Sequence, residues 1–189
     1  MKLGFEIYYF DENTFGFEVT FPKDKSFVVL DGSASENDVA LLIGSLLALN
    51  ELNLDGKFID ALHKEDELAL VGGLSFEKEN TIIGPSCCAD LQDWKEIVEG
   101  VHSKKTSWMG HDPDPWFEFS DNDITLWSDE ADSKNLSCIK FSQSEFEKMA
   151  IELDLELSQC LSLIEVWINK NYEDAPIELY NGIKDYLRC

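Results

Sequence analysis

The stretch that decides the fold covers residues 82–128 and reads IIGPSCCADLQDWKEIVEGVHSKKTSWMGHDPDPWFEFSDNDITLWS. Near its end, two alternating runs, Trp116–Phe119 and residues 124–127, lie on either side of Ser-Asp-Asn-Asp. Alternating apolar side chains around a cluster of turn-forming residues predict a β-hairpin. Earlier in the stretch, apolar side chains recur at helical spacing over residues 90–100, which predicts a helix.

The part of the chain before this stretch begins with strands. Residues 4–10, 15–21 and 27–30 are rich in aromatic and β-branched residues and are separated by turn-forming residues, so they predict an N-terminal meander. A helix capped by Ser33 or Ser35 is predicted next, and Ser35 with Asp38 has the spacing of a capping box.

The part after the stretch is mainly helical. Ser142 and Glu145 have the spacing of a second capping box, which predicts a long helix that ends near Asn169. Pro176 opens a last helix. Because strands come in runs without regular alternation with helices, the predicted fold is α+β. It has antiparallel sheets with an N-terminal meander, a central hairpin and a long C-terminal helix packed on the sheet. We predict a single domain over residues 1–189, and the candidate sub-boundary lies near residue 80.

The net charge limits the classes of molecule that the protein is expected to bind. The chain has 38 acidic and 15 basic residues, which gives a formal net charge of −23. Such a surface repels nucleic acids and anionic membranes and speeds association with basic proteins. No apolar run reaches the roughly 18 residues needed to cross a bilayer, and the first residues do not resemble a secretory signal. An odd number of cysteines fits reduced thiols, so we expect a cytoplasmic protein.

Cys87, Cys88, His111 and Asp112 are the main candidates for chemistry. Adjacent cysteines lack the C-x₂-C spacing of most zinc sites, and nucleophilic catalysis needs an orienting base that the sequence does not place. We therefore predict no metal ion, no cofactor and no enzymatic activity, with a packing role for both cysteines. The alternative is a thiol- or metal-dependent enzyme that uses Cys87, His111 and Asp112.

One pattern indicates a binding surface. Between Thr106 and Ser133 there are eight acidic residues, no lysine and no arginine, and aromatic residues are interleaved with the acids. Alternation puts Phe117 on the opposite face of the strand from Trp116, so one set of rings can be core while the other is partly exposed. The predicted partner-binding residues are Trp108, Asp112, Asp114, Trp116, Glu118, Asp121, Asp123, Trp127, Asp129 and Glu130. The alternative is that all the rings are core and the acids occupy solvated turns.

The segments GPSCCADLQDW, WMGHDPDPWFEF and LWSD resemble a bacterial family of small acidic proteins. This family comprises the immunity proteins of polymorphic and contact-dependent growth-inhibition toxin systems. The resemblance covers residues 81–170 and includes the spacing of Leu157, Leu161, Ile164 and Trp167. It implies a stoichiometric inhibitor that neutralises a cognate basic toxin, of the nuclease type, without catalytic residues of its own. A further alternative is an acidic adaptor that mimics nucleic-acid charge against a basic host protein.

Overall fold

A computed structural model describes residues 1–11, 14–24, 26–64, 67–134, 136–174 and 176–189. The fold is α+β, as predicted, with two antiparallel sheets. The strands are β1 (Lys2–Glu6), β2 (Phe27–Val29), β3 (Gly72–Lys78), β4 (Thr81–Ile83), β5 (Trp116–Phe119), β6 (Asp123–Trp127) and β7 (Cys138–Ser142). The helices are α1 (Glu36–Leu49), α2 (Gly56–Leu62), α3 (Trp94–His102), α4 (Gln143–Asn171) and α5 (Pro176–Tyr186). Among the described residues, no helix is both long and apolar enough to span a membrane.

The contacts of the chain fall into two compact units. The first unit comprises residues 1–4 and 71–154, and the second comprises residues 5–70 and 155–189. Both β1 and α4 therefore contribute residues to each unit. The single domain inferred from the sequence stays a prediction.

The first unit contains the predicted hairpin, which is confirmed. β5, β6 and β7 form an antiparallel sheet in that order. Trp116 lies opposite Trp127, and Phe117 lies opposite Leu126. Phe117 and Leu126 are buried, whereas Trp116 and Trp127 are half-buried. The alternation along the strand thus separates a core face from a partly exposed face, as predicted.

The core of the first unit is centred on Phe76 of β3, which is fully buried. The centroid of its ring lies 5.8 Å from that of Phe117, 5.9 Å from that of Phe141 and 6.4 Å from that of Phe146. One ring therefore joins β3, β5, β7 and α4. This cluster packs the start of α4 against the sheet.

The start of α4 is the capping box that the sequence predicts. The backbone N–H of Ser142 donates to Glu145 Oε2 over 2.6 Å, and the backbone N–H of Glu145 donates to Ser142 Oγ over 3.2 Å. Lys78 Nζ lies 3.1 Å from Glu145 Oε1. The hydrogen bond from Ser142 and then that from Lys78 lower the pKa of Glu145 from 4.5 to about 2.

We expect Glu145→Gln to weaken the dependence of stability on acid. Because the folded pKa lies below the unfolded value, the stabilisation by ionised Glu145 is complete above pH 4.5 and is lost as the pH falls toward 2. Denaturant midpoints measured from pH 6 to pH 2 should therefore fall less steeply in this variant than in the wild type. Glu147→Gln, on the same helix, is the control. Equal acid dependence of the two variants would show that the cap does not hold Glu145 ionised.

In the second unit, the capping box of α1 is also confirmed, with Ser35 and Asp38 bonded reciprocally. The helix is covered on nearly all sides, since residues 39–47 are all buried. Its Asn37 side chain accepts from the backbone N–H of Thr20 over 2.7 Å and donates to the carbonyl oxygen of Thr20 over 2.9 Å. These bonds satisfy backbone groups that a strand would pair with a neighbouring strand.

The prediction of a middle strand in the N-terminal meander is wrong. Residues 15–21 form no strand, and β1 and β2 are the strands found among the described residues before α1. Phe17 and Val19 alternate with exposed neighbours and are buried, which is the pattern of a strand. Phe17 packs edge-to-face on Trp167 of α4, however, with ring centroids 5.0 Å apart. Contact with a helix, rather than pairing with a strand, gives this segment its alternating burial.

The second half of α4 buries one face. Leu157, Cys160, Ile164 and Trp167 are buried at helical spacing. Burial, followed by the negative charge of Asp31, raises the pKa of Cys160 to about 12. Cys160 is therefore a protonated core residue at neutral pH.

Candidate functional site

The partly exposed face of the hairpin carries two stacked indoles, Trp116 and Trp127, which we call the indole pair. Their ring centroids are 6.0 Å apart and their planes differ by 21°. Trp116 Nε1 donates to the carbonyl oxygen of Asp129 over 3.0 Å, and Trp127 Nε1 donates to Glu118 Oε2 over 3.0 Å. Since both indole donors are satisfied within the hairpin, the rings are held in place with acidic residues beside them.

Asp129 has a structural role next to the indole pair. Its Oδ1 atom accepts from the backbone N–H of Asp114 over 3.0 Å and from that of Glu130 over 2.9 Å. The bond from Asp114, followed by that from the Ser133 side chain, lowers the pKa of Asp129. A carboxylate held by backbone donors remains charged and fixes the loop around it. Replacing Asp129 would therefore alter the loop as well as the charge.

The structure divides the ten predicted partner-binding residues into three groups. The indole pair lies at one end of the hairpin with Asp114, Glu118, Asp129 and Glu130. Asp121 and Asp123 are exposed at the other end, and a rise of about 3.3 Å per residue places Asp123 about 13 Å along β6 from Trp127. Trp108 and Asp112 belong to the loop before β5, where both adjoin His111.

His111 of that loop forms a second cluster with Cys87 and Cys88, which lie between β4 and α3. One ligand atom from each side chain lies within 4.8 Å of the others, and all three residues are exposed. The two Sγ atoms are 3.3 Å apart. The predicted packing role of the two cysteines is therefore wrong. We call this group the Cys-Cys-His cluster.

The backbone explains why adjacent cysteines converge. Successive side chains of an extended chain point to opposite faces, but Cys88 has a left-handed φ of +66°. This turn brings the two sulfur atoms to the same side. The backbone N–H of His111 donates to the carbonyl oxygen of Cys87 over 3.1 Å, which adds the imidazole from a distant part of the sequence.

Two small residues allow the close approach of these segments. Gly110 has a φ of +101°, and a Cβ atom there would lie 2.6 Å from Ser86 Oγ and 2.8 Å from the carbonyl oxygen of Cys87. The backbone N–H of Ser86 donates to the carbonyl oxygen of Met109 over 3.1 Å, and its hydroxyl donates to the carbonyl oxygen of Pro113. Neither Ser86 nor Gly110 is among the site residues predicted from the sequence. The available signal was a glycine directly before His111.

The cluster contains two of the three residues that the alternative prediction, a thiol- or metal-dependent enzyme, assigned to the site. Cys87 and His111 are brought together, and His111 Nδ1 lies 4.0 Å from Asp112 Oδ2. Cys88 joins them, whereas the alternative set named Asp112 as the third residue. Comparison with known proteins finds no matching family model, no matching curated protein and no matching solved structure. Function must therefore be inferred from the two groups of side chains, the indole pair with its acids and the Cys-Cys-His cluster.

Proposed function

We propose that this protein is a stoichiometric inhibitor of a basic protein toxin, of the kind represented by bacterial immunity proteins. The proposed contact surface is the end of the hairpin that carries the indole pair. The observation that carries the proposal is the fixed, half-buried indole pair flanked by Glu118 and Asp129. Tryptophan is enriched among residues that dominate binding energy, and rings held before binding lose little further conformational entropy.

The charge of the chain supports the same proposal. A formal net charge of −23 attracts a basic partner over long range and raises the association rate. The carboxylates near the indole pair would occupy the basic cleft of a nuclease-type toxin, where they stand in for phosphate groups. Capture of this kind is stoichiometric and requires no catalytic residue. The segments that resemble immunity proteins include all of β5 and the end of β6, and so both members of the indole pair.

We expect Trp116→Ala to shorten the lifetime of the complex. A loss of about 2 kcal/mol, typical of a hot-spot residue, corresponds to a dissociation rate about 30-fold higher. Trp108→Ala is the matched control, because this ring is 51% exposed and lies outside the indole pair. Stopped-flow or surface-binding kinetics with the cognate basic toxin would measure both variants. An unchanged dissociation rate for Trp116→Ala would remove the indole pair from the interface.

Association rates distinguish the effect of charges on the hairpin from the effect of the net charge of the whole chain. Glu118→Gln with Glu130→Gln removes two exposed charges beside the indole pair and keeps an acceptor for Trp127 Nε1. Glu156→Gln with Glu165→Gln removes the same number from α4, outside the hairpin. If the hairpin faces the toxin, the first pair of changes should slow association more and flatten its salt dependence more, since screening acts on the charges nearest the partner. Equal slowing by the two variants would contradict docking through the hairpin.

A further inference from the structure

We propose that the Cys-Cys-His cluster binds one thiophilic metal ion, Zn²⁺ by preference, through Cys87, Cys88 and His111. The fourth position would be taken by water. This site is separate from the indole pair, and the inhibitory role proposed above does not require it.

The geometry of the three side chains fits such an ion. Zn–S bonds of about 2.3 Å and Zn–N bonds of about 2.0 Å place the ligand atoms of a tetrahedral site about 3.5–3.8 Å apart. In the cluster the Sγ atoms are 3.3 Å apart, and all three ligand atoms lie within 4.8 Å of one another. Small rotations of exposed side chains are enough to reach the coordination distances. The left-handed backbone of Cys88 lets two adjacent cysteines approach one ion without the C-x₂-C spacing.

Backbone hydrogen bonds bring the three ligands together. Residues 86–88 and 109–111 are separated in the sequence, but they are joined by the hydrogen bonds of Ser86 to Met109 and of His111 to Cys87. A site assembled before the ion arrives loses less conformational entropy on binding. Carboxylates commonly orient metal-binding histidines through a hydrogen bond. Asp112 Oδ2 is the carboxylate oxygen next to the imidazole, but at 4.0 Å from His111 Nδ1 it lies beyond hydrogen-bond distance.

The ligand types select the class of metal. Thiolate and imidazole favour Zn²⁺ and Cu⁺ over Mg²⁺ and Ca²⁺, which prefer oxygen ligands. Three protein ligands, all exposed, leave a coordination position open to water. The acidic surface raises the local concentration of cations around the site.

The test is metal binding by the reduced full-length protein, after treatment with a chelator. Titration with Zn²⁺ against a chromophoric competitor should give one ion per chain, and Cd²⁺ in its place should produce thiolate charge-transfer absorption. Cys87→Ser, Cys88→Ser and His111→Ala should each weaken Zn²⁺ binding by more than the 10–100-fold typical of changes beyond the ligands themselves. Cys138→Ser and His63→Ala, which change the same residue types elsewhere, should leave binding unchanged.

Each of the following outcomes would contradict the proposed metal site. If the reduced protein does not bind Zn²⁺ at micromolar concentration, the cluster is not a metal site. Tight binding that persists in His111→Ala would assign the ion to thiols alone and contradict the three-ligand site. Weakening by Cys138→Ser equal to that by Cys88→Ser would indicate adventitious thiol binding. Denaturant midpoints measured in the presence of chelator verify that each variant is folded, so a loss of binding is not a loss of structure.

Discussion

Phe76→Ala is expected to lower the free energy of unfolding by about 3–5 kcal/mol, the range for truncating a buried phenylalanine. Phe76 is fully buried, and its ring contacts the rings of Phe117, Phe141 and Phe146. Truncation removes the common partner of all three rings and leaves a cavity among them. The surrounding strands and α4 can close that cavity only by moving backbone, so the cost should lie well above that of an average substitution.

Denaturant unfolding followed by circular dichroism would measure this loss. Phe119→Ala is the control, because Phe119 is only half-buried and its ring stacks on that of Phe117 alone among the described ring contacts. It should cost clearly less than Phe76→Ala. A loss below about 1.5 kcal/mol for Phe76→Ala, which is the cost of a tolerated volume-conserving change, would mean that the cluster repacks and is not the centre of this core.

Gly110→Ala is expected to cost about 3 kcal/mol, from backbone strain and a steric clash that each cost about 1–3 kcal/mol. The residue has a φ of +101°, and its new methyl group would lie 2.8 Å from the carbonyl oxygen of Cys87. A side-chain neighbour can rotate away, but this carbonyl accepts the backbone hydrogen bond of His111. Relief of the clash must therefore separate His111 from the cysteines. The variant should lose Zn²⁺ affinity as well as stability.

Gly16→Ala distinguishes the contribution of backbone strain from that of the steric clash. Gly16 also has a positive φ, of +77°, but a Cβ atom there would meet nothing within 4 Å. It should show the strain without the clash, and it should leave Zn²⁺ binding intact. Thermal or denaturant unfolding of both variants, with zinc titration of each, would measure the difference. Equal destabilisation by the two substitutions would show that residues 86–88 move freely away from Gly110.

The elements that the sequence predicts correctly depend on local rules. Ser35 with Asp38 and Ser142 with Glu145 each satisfy helix-end donors within one turn, so residues three positions apart determine where the helix starts. The hairpin of β5 and β6 is also a local element, joined by a short turn. Its alternation determines which rings become core, and the exposure of Trp116 follows from the burial of Phe117.

The prediction of a strand over residues 15–21 fails because alternation reports burial and not hydrogen bonding. Phe17 is buried against Trp167, and Thr20 bonds to the side chain of Asn37. Both partners are distant in the sequence, and a polar side chain on α1 replaces the neighbouring strand. A pattern of period two does not distinguish these two environments.

The Cys-Cys-His cluster shows a similar limit for the site. The sequence identifies the residue types, but their convergence depends on the left-handed conformation of Cys88, which non-glycine residues seldom adopt. It also depends on a bridge between Cys87 and His111 across more than twenty residues. For the acidic residues the limit is different. The composition predicts a negatively charged surface. The hydrogen bonds of the structure divide the acidic residues of the hairpin region into a fixed group around Asp129 and an exposed tip around Asp121.

The alkylation rate of Cys160 can report local opening of the structure. Maleimides and iodoacetamide react with thiolates, and at neutral pH a buried thiol with a pKa of about 12 presents almost none. The exposed Cys88 is open to reagent, so serine at the other cysteine positions would leave a single slow thiol. Its alkylation rate, divided by that of a small model thiol, gives the fraction of time for which the second half of α4 is open. This measurement needs no denaturant.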